Sequence, residues 1–278
     1  MRKAYIALLV LVTLLVMGLS GAAFAADTEE TTKVGKNVYF TLGYKTWINT
    51  WQTAYNSYFP DGGANIMSLT SESVAAPIFS ASLKMGNLLI AGSFMTTPDY
   101  KFPDYEDVEV TGPTPTTVGP SATPFYTFRT TGSRKEQDIN LGYYISPAIA
   151  LTVGYKQVKQ TYNDIVIATG AVNFSSWTKY SGPIVGITGG GSLGAGFAFY
   201  GNFSFGVLKG EFEGDPETFT ANYSSTELGI AYRPVSFLSF LVGYKYQTID
   251  SKLSDPAFNN QVALDVTKGF ILGANLTF

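Results

Sequence analysis

The chain has neither cysteine nor histidine among its 278 residues. Without cysteine no disulfide can staple the fold, and without either residue the strong zinc-type sites are excluded. A serine also has no imidazole to serve as its base, so the usual catalytic triad is unavailable. A Ser–Lys dyad or a carboxylate pair would not need histidine, but no spacing singles one out. Charge is scarce as well: 14% of residues are charged, low for a soluble domain of this length. The 18 basic residues are outnumbered by 21 acidic ones, leaving no basic surplus to attract nucleic acid. After the first few residues no apolar run approaches the ~20 needed for a membrane-spanning helix. The expectation is a protein that is not an enzyme, holds no cofactor or metal and does not bind nucleic acid.

What the chain does have begins with a leader. Arg2 and Lys3 precede an apolar run from Ala4 to Met17, and Ala23-Phe24-Ala25 offers a small-x-small cleavage site. Residues 1–25 therefore read as a secretory signal peptide, cleaved near Ala25. Residues 26–36 form a short polar lead-in. Residues 37–278 are then expected to form one domain.

That domain is rich in apolar residues but never concentrates them. The chain is 45% hydrophobic with 20 Phe and 18 Tyr, and these alternate with small or polar residues. Val38, Phe40, Leu42 and Tyr44 share one face of a strand, with Tyr39, Thr41, Gly43 and Lys45 on the other. Phe197, Phe199, Phe203, Phe205 and Val207 do the same farther on. A period of two marks strands with one greasy face. Lipid can take that face and a lumen the other, provided the sheet closes and pairs every backbone group. The fold class expected is therefore all-β: a transmembrane antiparallel up-and-down barrel.

Ten strands are recovered, ending near Ile48, Met85, Phe94, Ile145, Tyr155, Ile187, Val207, Tyr232, Tyr244 and Phe278. Their connections alternate between long and short. Long segments fall at about 52–73, 97–133, 161–178, 210–223 and before the last strand. Tight turns fall at Gly86-Asn87, Ser146–Ala148, Gly189–Ser192 and Pro234–Ser236. The second long segment holds six of the 13 prolines, a density that blocks ladder pairing. Twelve strands result instead if Val108–Val110 and Phe125–Arg129 form a hairpin within it. Its acidic cluster (Asp99, Asp104, Glu106, Asp107 and Glu109) has oxygens suited to Ca²⁺, but the spacing matches no ligand loop. A solvated loop is the preferred reading.

The last strand carries a resemblance. From Gly269 to Phe278 apolar residues fill the even positions, and the chain stops on Phe278. With Gly273, Leu276 and Phe278 in place, the stretch resembles the closing strand and C-terminal assembly signal of bacterial outer-membrane β-barrels. Leu272 departs from that signal, which has a polar residue there. The resemblance to this porin-like superfamily implies a location in the outer membrane and contact with its lipid. It also implies recognition by the barrel assembly machinery, a monomeric state, and long loops outside with short turns on the periplasmic side.

The lumen is where a function would sit. Lys45, Lys84, Asp138, Lys156, Glu227, Arg233 and Lys245 fall on inward positions. Counting back from the tight turns places Asp138 opposite Lys156 and Glu227 near Lys245; Asp265 is a candidate neighbour of Lys45 across the closure. These charges either neutralise one another in a narrow interior or form a selective constriction. Ten strands at ~4.8 Å spacing close at roughly 20 Å across the backbone, leaving at most ~10 Å between side chains. Small inward residues such as Ser80, Ser82, Ala91, Ser93, Gly142, Thr152, Gly154, Gly194 and Gly196 favour a narrow passage for small polar solutes or ions. A closed barrel acting through its outer loops is the alternative.

Two motifs weigh less. Gly189 to Gly194 satisfies G-x-G-x-x-G, but a dinucleotide site needs a helix to follow, and an aromatic strand follows. The tetrapeptides Leu42–Lys45, Val153–Lys156 and Val242–Lys245 recur with Tyr on the lipid face and Gly and Lys on the lumen face.

Overall fold

The computed structural model describes residues 38–58, 64–103, 105–106, 127–255 and 258–278. The leader, the polar lead-in and the Val108–Val110 strand lie outside those residues, as do Asp104, Asp107 and Glu109.

Thirteen strands form one sheet. They are β1 (Val38–Tyr58), β2 (Ala64–Thr70), β3 (Val74–Met85), β4 (Leu88–Thr96), β5 (Tyr100–Lys101), β6 (Tyr105–Glu106) and β7 (Thr127–Ser146). They continue with β8 (Ile149–Val166), β9 (Val172–Gly194), β10 (Phe197–Phe212), β11 (Thr218–Val235), β12 (Leu238–Asp255) and β13 (Phe258–Thr277). Ten of them run in the order β1-β3-β4-β7-β8-β9-β10-β11-β12-β13, and β13 pairs back onto β1. The barrel is closed and antiparallel throughout. The short strands β2, β5 and β6 extend it by pairing with the far ends of β1 and β7.

Closure runs from Thr41↔Thr277 to Asn56↔Val262. At its lower end Phe40 and Phe278 exchange both backbone hydrogen bonds, at 3.2 and 2.8 Å, and their rings stack 6.5 Å apart. The terminal aromatic residue thus seals the seam. The even positions of β13 face outward and the odd ones inward, as the alternation implies.

The outer wall inverts the usual distribution of polarity. Phe270 and Ile139 are 63% and 62% exposed, and Tyr155, Phe205, Val242 and many like them point away from the barrel. A contiguous apolar surface of this extent needs lipid around it. The buried residues lie inside, in the lumen.

All four tight turns lie at the end that holds Val38 and Phe278, at residues 86–87, 147–148, 195–196 and 236–237. The third departs from the expectation of a turn at Gly189–Ser192. Gly189, Gly190 and Gly191 are instead paired in the ladder, opposite Gly201, Tyr200 and Phe199. Side-chain space explains this: a Cβ on Gly190 would lie 2.7 Å from the Phe199 carbonyl oxygen. The chain reverses at Ala195–Gly196, where Gly194, Ala195 and Gly196 all have positive φ. Gly194 therefore ends β9, paired to Phe197, and Gly196 is a turn residue at the edge of the lumen.

At the opposite end the expected loops are largely ladder. The β8–β9 hairpin stays paired to Ile165↔Val172, β10–β11 to Glu211↔Thr218 and β12–β13 to Asp255↔Phe258. Thr, Tyr, Val and Ile at these positions favour the pleated surface. A spanning strand needs ~9–11 residues, whereas β9 has 23 and β1 has 21. The hairpins rise well beyond the apolar band.

Candidate functional site

From the end with the tight turns the lumen opens as a vestibule of ≈ 740 Å³, lined by Lys84, Tyr144, Gly190, Arg233 and Asn275. The Lys84 ammonium lies 4.2 Å from the centre of the Tyr144 ring. Above it is a second cavity of ≈ 390 Å³, walled by Ser80, Ser82, Ala91, Ser93 and Thr152 on one side and Ser204 on another. The small inward residues of β3 and β4 create this space, and Lys45, Asp138, Lys156, Glu227 and Lys245 line it.

Four of these five charges are ion-paired. Asp138 and Lys156 are direct cross-strand partners, as are Glu227 and Lys245. The nearest contacts reach farther, however. Lys45 crosses the lumen to Glu227 at 2.6 Å, while Lys156 lies 2.6 Å from Glu136 and 3.4 Å from Asp138. Asp138 also accepts from Ser93 at 2.7 Å and Asn140 at 2.8 Å. Lys245 sits over Trp47, 4.5 Å from the ring centre. The β1–β13 register places Lys45 beside Gly273 and Asp265 beside Thr53. Asp265 is thus far from Lys45, and instead accepts from the Trp51 indole N–H at 3.0 Å.

The next layer up is filled with buried side chains. Arg134 Nε approaches Glu136 at 2.6 Å, Arg134 also donates to Thr267 at 2.6 Å, and Gln247 donates to Glu136 at 2.9 Å. Arg134 is 1% exposed, and Trp47, Trp51 and Gln247 are fully buried. Trp51 packs against Tyr100, Phe102 and Tyr162, with ring centres 4.9 to 5.5 Å away. Tyr100 donates to Asn49 at 2.6 Å. From the other wall Val158, Tyr180, Ile184, Leu208, Tyr223 and Ile249 fill the remaining space. Side chains from the wall pack across the upper lumen.

In these two layers, above the vestibule that holds Lys84 and Arg233, the balance among the described residues is even: Lys45, Arg134, Lys156 and Lys245 face Glu136, Asp138, Glu227 and Asp265. Burying these charges requires such pairing. Arg134 and Glu136 were not among the expected lumen residues, because the strand was read only from Asp138 and Ile139 onward. Counting inward positions back from the 147–148 turn would have reached both. Trp47 and Trp51 share the parity of Lys45, and only their bulk distinguishes them from passage-lining residues.

A closed antiparallel barrel with an apolar exterior and a polar, charged interior defines the class: the chain has the fold of an outer-membrane β-barrel protein. No protein-family model and no curated protein matches the sequence. Among solved structures it is similar to the outer membrane protease OmpT from Escherichia coli, with a TM-score of 0.56 and 15% identity over 86% of this chain and 97% of that one. It is also similar to the translocator domain of the autotransporter NalP from Neisseria meningitidis (TM-score 0.38, 9% identity, 96% and 97% covered). A further likeness is to Neisserial surface protein A (TM-score 0.28, 11% identity, 87% and 98% covered). At these identities the likeness shows the fold alone, and the last two superpose too loosely to add to it.

Proposed function

We propose that this is a closed barrel of the bacterial outer membrane that acts through the raised ends of its hairpins, and that it neither passes solutes freely nor catalyses a reaction. The observation that carries this reading is the belt of buried side chains from Glu136 and Lys156 up to Trp51, which occupies the lumen above the polar cavity. A ten-stranded wall leaves at most ~10 Å between inward side chains, and here tryptophan, tyrosine and an ion-paired arginine occupy it. The missing histidine supports the absence of triad-type catalysis. On this reading Lys45, Lys156 and Lys245 neutralise carboxylates and select nothing.

Conductance of the full-length protein in a planar lipid bilayer tests it. The expectation is no discrete current steps, with steps appearing once Trp47 and Trp51 are both replaced by Gly. Steps from the unaltered protein would overturn the closed reading in favour of a narrow passage. The passage reading is supported by the polar cavity and vestibule that already reach halfway through. In that case Lys245→Glu should alter ion selectivity.

A further inference from the structure

The outer wall carries a row of like charges just above its apolar band. Lys135, Lys159 and Lys179 are direct cross-strand partners on β7, β8 and β9, and all three side chains point outward. Like charges placed directly opposite one another repel and destabilise a sheet. Among the described residues the carboxylate that flanks the row is Glu211, at its Lys179 end, which leaves Lys135 and Lys159 beside each other without one. Thr96 continues it on one side and Glu211 on the other, where Glu211 is shared between Lys179 and its ion-pair partner Lys209 at 3.0 Å. The rows above and below are Ser133–Thr161–Trp177 and Gln137–Gln157–Ser181. The row is held in place, since Lys159 lies 4.6 Å from the centre of the Trp177 ring.

Below the Lys135 end of the row, and towards β4 and β3, lies a groove. In the row Leu42–Ala81–Gly92–Ile139 the two middle positions are the smallest, and they floor an outward-facing depression of ≈ 540 Å³. Phe40, Phe94, Ile139 and Tyr155 wall it, and Gln137 and Gln157 stand at its upper end. Four residues separate Ile139 from Lys135, a rise of about 10 Å along a tilted strand. That step leads from hydrocarbon to headgroup level. Lysine side chains at this height keep their stems against the wall and their ammonium groups in the interface.

We propose that this surface is a binding site for an anionic lipid of the outer leaflet, one whose phosphate is not neutralised by a cation of its own headgroup, with an acyl chain in the Ala81–Gly92 groove and the phosphate on the row of Lys135, Lys159 and Lys179. A phosphate offers several acceptor oxygens to neighbouring ammonium groups and relieves their mutual repulsion. The groove below selects a lipid over a free anion. The inference rests on the barrel lying in the outer membrane with its hairpins outward, and is independent of whether its lumen conducts.

Native mass spectrometry of the full-length protein in detergent, titrated with phosphatidylglycerol or phosphatidylcholine, tests it. Phosphatidylglycerol should be retained roughly tenfold more tightly. The triple variant Lys135→Gln, Lys159→Gln, Lys179→Gln should lose that preference, and Ala81→Leu should weaken retention of both lipids. The triple variant removes only surface charge, and its unchanged β-sheet circular dichroism would show that it folds. Equal retention of the two lipids overturns the proposal, as does a preference that survives in the triple variant. Displacement by inorganic phosphate together with indifference to Ala81→Leu would also overturn it, by showing a site for the free anion. Conductance plays no part in these readouts, so failure here is distinct from failure of the closed-lumen reading.

Discussion

Glu136 is the residue on which the closed belt most depends. It meets Lys156 and Arg134 at 2.6 Å each and accepts from Gln247, in a layer where Arg134 is nearly inaccessible. Charges in such a place are tolerated only in company. Removing one partner leaves the others buried and uncompensated, at a cost of about 3–5 kcal/mol, whereas replacing the whole group by apolar side chains of similar volume is often neutral. Glu136→Ala is therefore expected to lower unfolding stability in urea by that amount. The triple change Arg134→Met, Glu136→Leu, Lys156→Met should recover most of the loss. A single substitution that cost under about 1 kcal/mol would place water in the belt and count against its closure. The exposed pair Lys209–Glu211 makes a control, because a solvated ion pair at a rim contributes little when removed.

At the scale of the element, parity was legible in the sequence and length was not. Every strand read from its alternation keeps its greasy face outward, and the Asp138–Lys156 and Glu227–Lys245 pairings follow from counting back along two hairpins. Counting works within a hairpin because one turn sets its register. It fails across the closure, where no turn joins β1 to β13, and so Asp265 was set beside the wrong residue. Glycine misled the reading in one place. The Gly189–Gly191 run has the composition of a turn, but its close backbone approach is used inside the ladder. Hairpin ends were read as loops because above the membrane both faces become polar and the alternation fades. The closing strand bears a separate test. Deleting Phe278 removes two backbone hydrogen bonds and one ring stack, a small part of a seam that runs to Asn56. A purely structural role predicts slightly reduced stability and normal assembly. The proposed role of Gly273, Leu276 and Phe278 as an assembly address predicts that the shortened chain fails to insert in cells yet refolds in detergent. Normal insertion in cells would refute that address.

For the whole molecule, an even number of wall strands puts Val38 and Phe278 on one side, and the structure puts all four tight turns there too. The other side carries the raised hairpins, the β2 extension of β1 and the β5 and β6 extensions of β7. Orientation decides what each half can meet: the vestibule opens to one compartment, while the hairpins and the lysine row face the other. The absence of cysteine makes this orientation directly measurable, since any thiol introduced is the only one present. Thr169→Cys lies at the tip of the β8–β9 hairpin and Ser236→Cys in the β11–β12 turn, both outside the ladder. In intact bacterial cells a membrane-impermeant maleimide should label the first and spare the second, and permeabilising the outer membrane should expose both. The reverse pattern would invert the molecule, turning its vestibule to the outside and its hairpins to the periplasm. An interaction role for the hairpins would then concern periplasmic partners, and the lysine row would meet the inner leaflet.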